Sequence, residues 1–166
     1  IIKHISNCDH HHTIGIIGTK GTINSGIYHQ KIKSINQNIN VKSLATPILA
    51  AMIEGGFFKD KISQTIVHNY LKDPVLKGIN KLILACTHYP LIQELIKDYY
   101  SNEIEIIDSA TYVAKHVKDI LKDKKLLSQQ IARHRFVVSD YTNSFEESAK
   151  IFFGEDINLE EVNSIH

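Results

Sequence analysis

Cysteine is nearly absent: the 166 residues hold only Cys8 and Cys86, too few and too far apart for a disulfide framework. An excess of one charge is absent too. Nineteen Lys and Arg against 18 Asp and Glu leave a formal net charge of +1, which gives no electrostatic basis for binding nucleic acid. No apolar run approaches the length of a membrane span. No basic, apolar and small-residue sequence of the secretory kind opens the chain. Together these absences predict a protein of a reducing cytoplasm with neither a membrane nor a nucleic acid as partner. Methionine is also scarce. The only one is Met52 and the chain opens on Ile1, which predicts a piece of a longer protein.

What is present suits a globular chain. A hydrophobic content of 43% is enough for a core, a charged content of 22% is ordinary, and the length fits one domain or two small lobes. Short apolar runs alternate with segments of helical period. Ile14 to Thr19 reads as a strand, and Ser25 as the cap of a helix carrying Tyr28, Ile32 and Ile35. Val41 to Ala45 is a second strand. Pro47 opens a helix with Leu49, Met52 and Ile53, and Gly55-Gly56 stops it. Ile62, Ile66 and Tyr70 stripe the next helix, which ends near Asp73-Pro74. Lys81 to Ala85 is a third strand, followed by a helix from Pro90 to about Tyr100. Ile104 to Ile107 is a fourth, with Val113, Val117, Ile120 and Leu121 on the helix after it. Arg135 to Ser139 is a fifth, and Phe145 to Phe153 form a last helix ended by Gly154. Such alternation predicts an α/β fold built on parallel sheet.

Two features invite a ligand reading and do not carry it. His10, His11 and His12 are adjacent, so on an extended loop they cannot all face one ion, and beyond Cys8 and Asp9 no carboxylate or thiol cluster lies at ligand spacing. They read as a polar loop, and no metal site is expected. Gly18-Thr19-Lys20-Gly21-Thr22 is a glycine-rich strand-to-helix loop without the spacing of a P-loop or a dinucleotide fingerprint. It reads as a tight turn whose N–H groups and hydroxyls suit a carboxylate as readily as a phosphate.

The most informative stretch is Leu82-Ile-Leu-Ala-Cys-Thr-His-Tyr-Pro-Leu-Ile92. A buried strand ends at Cys86, and Pro90 is admissible in a first helical turn. A thiol, a hydroxyl and an imidazole therefore sit together at the carboxyl end of a strand, where open α/β sheets bind ligands. An isolated Cys in such a place is commonly a small buried hydrophobe. Cys86 is less easily dismissed because His88, one residue beyond Thr87, can stabilise a thiolate, yet spacing alone leaves the buried-hydrophobe reading open.

Ala85-Cys-Thr-His-Tyr-Pro-Leu91 resembles the second catalytic-cysteine motif of bacterial glutamate racemases and is highly specific to them. Four further segments lie in the family's order along the chain. Ile14 to Tyr28 is similar to its Gly-Thr-x-x-Thr-x-x-Ser segment, and Ala45-Thr-Pro47 with Glu54 to its Pro-x-x-x-x-x-x-Glu segment. Asp108-Ser-Ala110 resembles the strand end where the family's chain returns to its first domain. Val137 to Phe145 resembles its closing strand and helix. The resemblance implies α/β, parallel-sheet lobes of the aspartate/glutamate racemase type, one nearly complete and one partial. Residues 1–12 would end the first domain or link to the second, 13–109 would form the second domain, and 110–166 would be the C-terminal part of the first. The 110–166 segment should expose apolar surface. The family's Asp-Ser and Cys-Asn-Thr segments are missing. Cys8 lacks that Cys-Asn-Thr context and lies too near the second-domain strand to be the first catalytic cysteine.

For function, the resemblance implies cofactor-independent interconversion of L- and D-glutamate by two thiols on opposite faces of the α-carbon, supplying D-glutamate for peptidoglycan. Cys86 would be one of those thiols, with His88 setting its protonation state and Glu54 either assisting on the same side or standing as an exposed helix-end carboxylate. Thr87, His88, Thr19 and Thr22 would bind substrate, and Asp108 and Ser109 would shape the interdomain crossing. His88 in place of the Glu typical of aspartate racemases favours glutamate. A homodimer of the complete protein is compatible with the family, and this chain alone is expected to be inactive. Other readings remain open: a related amino-acid racemase, a cysteine hydrolase using Cys86 and His88, or a non-catalytic remnant that binds a ligand or partner. A hydrolase would need an oxyanion hole and an acid orienting the histidine, for which the sequence holds no signature.

Overall fold

A computed structural model describes residues 5, 12–128, 130, 133–154 and 157–162. Cys8, His10 and His11 lie outside the described residues, so the reading of the histidine run does too. The chain divides into two compact units, Ile1–Ile120 and Leu121–His166.

In the first unit four parallel strands form one sheet: β1 (Thr13–Gly18), β2 (Asn40–Ala45), β3 (Lys81–Ala85) and β4 (Glu105–Asp108), in the order β2-β1-β3-β4. The central strands β1 and β3 are buried almost throughout, as strands covered on both faces must be. Side chains alternate between faces. Ile17, Leu82 and Leu84 point into one cluster with Leu49, Ile53, Val67 and Ile96. Ile14, Ile16, Ile83 and Ile107 point into the other, with Ile32. Helices α3 (Pro47–Glu54), α4 (Lys61–Leu71) and α5 (Gln93–Tyr99) supply the first cluster, and α2 (Ile27–Ile35) the second. The chain steps from β1 outward to β2, then crosses back past β1 to β3 and on to β4. The strand order therefore reverses between β1 and β3.

The expected strands are present to within a residue or two at each end. Three helical expectations need correction. Ser25 does not cap a helix as its N-cap: a short helix α1 (Lys20–Asn24) precedes it, capped by the Thr19 hydroxyl, and Ser25 ends that helix. Gly26, at φ 64°, then restarts the chain as the N-cap of α2, in a left-handed conformation that glycine adopts without steric cost. In α4 the buried stripe is Ser63, Val67 and Leu71, one residue on from the expected one, while Ile62 is 73% exposed. Asp60 caps the helix, its carboxylate accepting from Ser63 N–H at 2.8 Å, and packing of Val67 and Leu71 into the core sets the buried face, with Ile66 and Tyr70 at its margin. Finally, Pro90 lies in a 3₁₀ turn (Tyr89–Ile92), with α-helix only from Gln93. The turn follows from Tyr89 N–H bonding to Cys86 C=O at 3.3 Å and Leu91 N–H to His88 C=O at 3.1 Å.

Helix α6 (Ser109–Asp123) buries none of its residues; Val113 and Val117 are exposed, in line with the expected apolar surface after residue 110. In the second unit β5 (Phe136–Val138) pairs in parallel with β6 (Leu159–Glu161), joined through α7 (Asn143–Phe153). The Phe136 and Phe153 rings meet edge to face at 4.6 Å, and Arg135 reaches across to Glu160 on β6 at 3.1 Å. Strand β6 was not expected from sequence. Its two glutamates obscure the apolar pattern of a three-residue strand. Among the described residues no helix is long and apolar enough to cross a membrane.

Candidate active site

Open parallel sheets bind ligands outside the carboxyl ends of their strands, at the point where strand order reverses. Here that point lies between β1 and β3, whose last residues Gly18 and Ala85 are register partners. Gly18 suits the approach: a Cβ there would stand a tight 3.2 Å from the Ala85 carbonyl oxygen. Thr19 and Cys86 follow directly on these two strand ends.

On the β1 side, Thr19 Oγ1 and Thr22 Oγ1 are 3.1 Å apart, and Thr19 Oγ1 also accepts from Thr22 N–H at 3.5 Å. This capped turn presents two hydroxyls at the start of α1. On the β3 side, Cys86 Sγ lies 3.6 Å from His88 Nδ1, and Thr87 Oγ1 lies 3.4 Å from the same nitrogen. The other ring nitrogen, Nε2, stands 2.7 Å from Glu54 Oε1 at the C-terminal end of α3. A carboxylate accepts only, so Nε2 carries a hydrogen, and whenever the ring is neutral Nδ1 is the acceptor facing Cys86 and Thr87. Thiol, imidazole and carboxylate thus form one chain of contacts.

Cys86 is half-buried, and burial pushes its thiol above the ordinary value. Backbone N–H groups of His88 and Tyr89 pull the other way, and the Glu54 carboxylate adds a smaller upward push. The resting group is therefore a neutral thiol beside a ring nitrogen that can take its proton. Taking that proton gives a thiolate beside an imidazolium, and the carboxylate behind the ring offsets the new positive charge.

The structure brings Cys86, Thr87, His88 and Glu54 together and sets the Thr19–Thr22 pair at the adjoining strand end. Asp108 is engaged elsewhere, accepting from Ala110 N–H at 2.9 Å and from the Thr111 hydroxyl at 2.8 Å at the start of α6. Among the described residues no three His, Cys, Asp or Glu side chains group to hold a metal ion. Sequence reasoning did not single out Thr46 or Tyr89 by side chain. Both are buried beneath the site, with their oxygens 2.6 Å apart. The proline after Thr46 and the motif around Tyr89 were the available signals.

No family model matches the chain. Curated relatives do. It is 35% identical to a glutamate racemase of Bacillus cereus over 146 residues, 87% of this chain and 54% of that protein. It is 37% identical to one of Persephonella marina over 149 residues, 90% and 55% respectively. Glutamate racemases are its homologues. Among solved structures, a glutamate racemase of Francisella tularensis in complex with D-glutamate superposes with a TM-score of 0.84 at 33% identity, over 98% of this chain and 60% of that one. One from Bacillus anthracis gives 0.81 at 33% identity, over 91% and 57%. The fold is that of the aspartate/glutamate racemases. The chain spans a little over half the length of the curated relatives it matches.

Proposed function

We propose that the protein containing this chain is a cofactor-independent glutamate racemase, acting in the cytoplasm to supply D-glutamate for peptidoglycan. The observation that carries the reading is the Cys86–His88–Glu54 chain at the reversal point of the sheet, in a fold shared with glutamate racemases. Residues 13–109 would be the second domain, with 110–166 returning the chain to the first.

An α-proton next to a carboxylate is weakly acidic, so removing it demands a well-placed base and stabilisation of the carbanion. In this reading His88 takes the Cys86 proton, and the Cys86 thiolate then takes the substrate's α-proton. The C–H electron pair stays on the α-carbon. A second acid, on the opposite face, delivers a proton to that carbon and completes inversion. Cys86 leaves the reaction as a thiol, His88 as an imidazolium and the opposite group as a base, and proton exchange with solvent returns the His88 proton and reprotonates that group. The reverse reaction exchanges the roles. The second acid would come from the part of the relatives' length that this chain does not span, so residues 1–166 alone should not racemise. Glu54 would hold the His88 tautomer. Thr19, Thr22 and Thr87 would meet the substrate carboxylate and ammonium groups with hydroxyls. The D-glutamate bound by the Francisella tularensis relative supports glutamate as substrate.

The test is α-hydrogen exchange in D₂O with full-length protein, followed by NMR for L- and D-glutamate and for aspartate. Deuterium should enter glutamate from either enantiomer, with inversion. Exchange confined to aspartate would move the protein to a related racemase. Binding of glutamate without any exchange would make it a non-catalytic ligand binder.

A further inference from the structure

Thr46 occupies the N-cap position of α3, yet its side chain makes no hydrogen bond to that helix. Thr19, Asp60 and Thr142 occupy the same position on other helices, and each turns its side-chain oxygen onto a following N–H. A threonine at an N-cap ordinarily does likewise. The Thr46 hydroxyl is instead directed away, donating to Gly18 C=O at 3.2 Å and standing 2.6 Å from Tyr89 Oη. With its proton on Gly18, Thr46 Oγ1 accepts from Tyr89 O–H, which also lies within 3.2 Å of the Thr46 carbonyl. Both side chains are fully buried, so neither can exchange this partner for water.

The three segments joined in this way are those that carry the site. Gly18 immediately precedes Thr19. Tyr89 closes the loop that holds Cys86 and His88, its own N–H bonded to Cys86 C=O. Thr46 begins the helix that ends at Glu54, and Glu54 grips His88 at 2.7 Å. Helix α3 is therefore fastened to the Cys86 loop at both ends. Tyr89 is pushed up to about 12 by burial, so its hydroxyl stays a donor throughout the neutral range.

The geometry points to Thr46 and Tyr89 as positioning residues: their buried hydroxyl pair fastens α3 and the end of β1 to the Cys86 loop, holding the thiol in register with His88 and Glu54. The inference rests on the proposed role of Cys86. A hydroxyl pair that merely stabilised the core would influence melting and leave the chemistry of the thiol alone.

Titratable groups facing Cys86 are His88 and Tyr89 from its own loop and Glu54 from α3, with Tyr70 of α4 acting on Tyr89. Cys86 alkylation by iodoacetamide reports their arrangement without any substrate. In full-length protein the alkylation rate is followed on the Cys86 peptide by mass spectrometry, across about pH 6–10. Tyr89→Phe and Thr46→Val should each move this pH profile upward, and Thr46→Ser, which keeps the hydroxyl, should restore it. In the racemase assay the first two should lower kcat about 10- to 100-fold with little change in KM, the signature of misplaced reacting groups. Profiles that superimpose on the parent's in both Tyr89→Phe and Thr46→Val, whatever their melting temperatures, would overturn the inference. Should Tyr89→Phe not fold, the Thr46 pair decides: Val must shift the profile and Ser must not, and equal profiles from the two refute it. A parent protein that does not turn over glutamate, but whose Cys86 profile shifts in these variants, would lose the substrate assignment and keep the positioning pair.

Discussion

His88 Nε2 meets Glu54 Oε1 at 2.7 Å, and that contact determines which ring nitrogen Cys86 sees. Histidine alone could present either nitrogen to the thiol. With the carboxylate behind Nε2, a neutral ring has Nδ1 as its bare acceptor.

Glu54→Gln tests this directly. The amide keeps the shape but removes the charge that favours an imidazolium. In the complete protein kcat should fall about 10- to 100-fold, less than the 10²–10⁴-fold assigned to a general base itself. Cys86 alkylation at neutral pH should slow in parallel, because losing the support for the imidazolium outweighs the small direct push of the carboxylate on the thiol. Unchanged kcat and alkylation would make the contact an ordinary surface ion pair, which the 59% exposure of the Glu54 side chain permits.

Cys86→Ala should abolish racemisation of the complete protein while preserving its circular dichroism. The thiol is half-buried at a strand end, so its loss should cost on the order of 1 kcal/mol, a few degrees in Tm. Racemisation at the parent's rate in this variant would defeat the proposed function.

Gly18→Ala should damage both stability and site. Its Cβ would press on the Ala85 carbonyl at 3.2 Å, forcing β1 and β3 apart where Thr19 and Cys86 emerge. Overpacking of this kind costs typically about 1–3 kcal/mol. Urea unfolding should show a lower midpoint at unchanged m-value. A variant as stable as the parent would mean that the strand ends relax without strain.

Stability should decline in alkali. Tyr89 is raised in the folded state from 10.0 to about 12 by burial. Between these values the unfolded chain loses a proton that the folded chain keeps. The stabilisation is therefore complete below pH 10.0 and is lost as pH rises through about 12. Cys86, also raised, contributes in the same direction from its own lower starting point. Urea midpoints measured from about pH 9 upward should fall, and Tyr89→Phe should fall less steeply. Equal slopes would place the alkaline loss in other groups, such as the similarly raised Tyr100.

The sequence by itself determined the local elements and the local chemistry. Leu82 to Ala85 is too short and apolar for anything but a buried strand, and β3 occupies those residues with Lys81. Pro47 and Gly55 bound α3 because one has no N–H to give and the other readily ends a helix. Cys86, Thr87 and His88 are neighbours in the chain, so their proximity required no fold. The His88–Glu54 contact and the Thr46–Tyr89 pair are of another kind. They exist because β2 and β3 flank β1 in parallel, which brings the start of α3 and the loop after β3 to the same edge of the sheet. The burial phase of α4 was decided similarly, by packing in the core rather than by the positions of its isoleucines. Periodicity and spacing record what a residue does with its near neighbours in the chain. Which distant side chains meet depends on strand order and register, and those arise only when the whole sheet assembles.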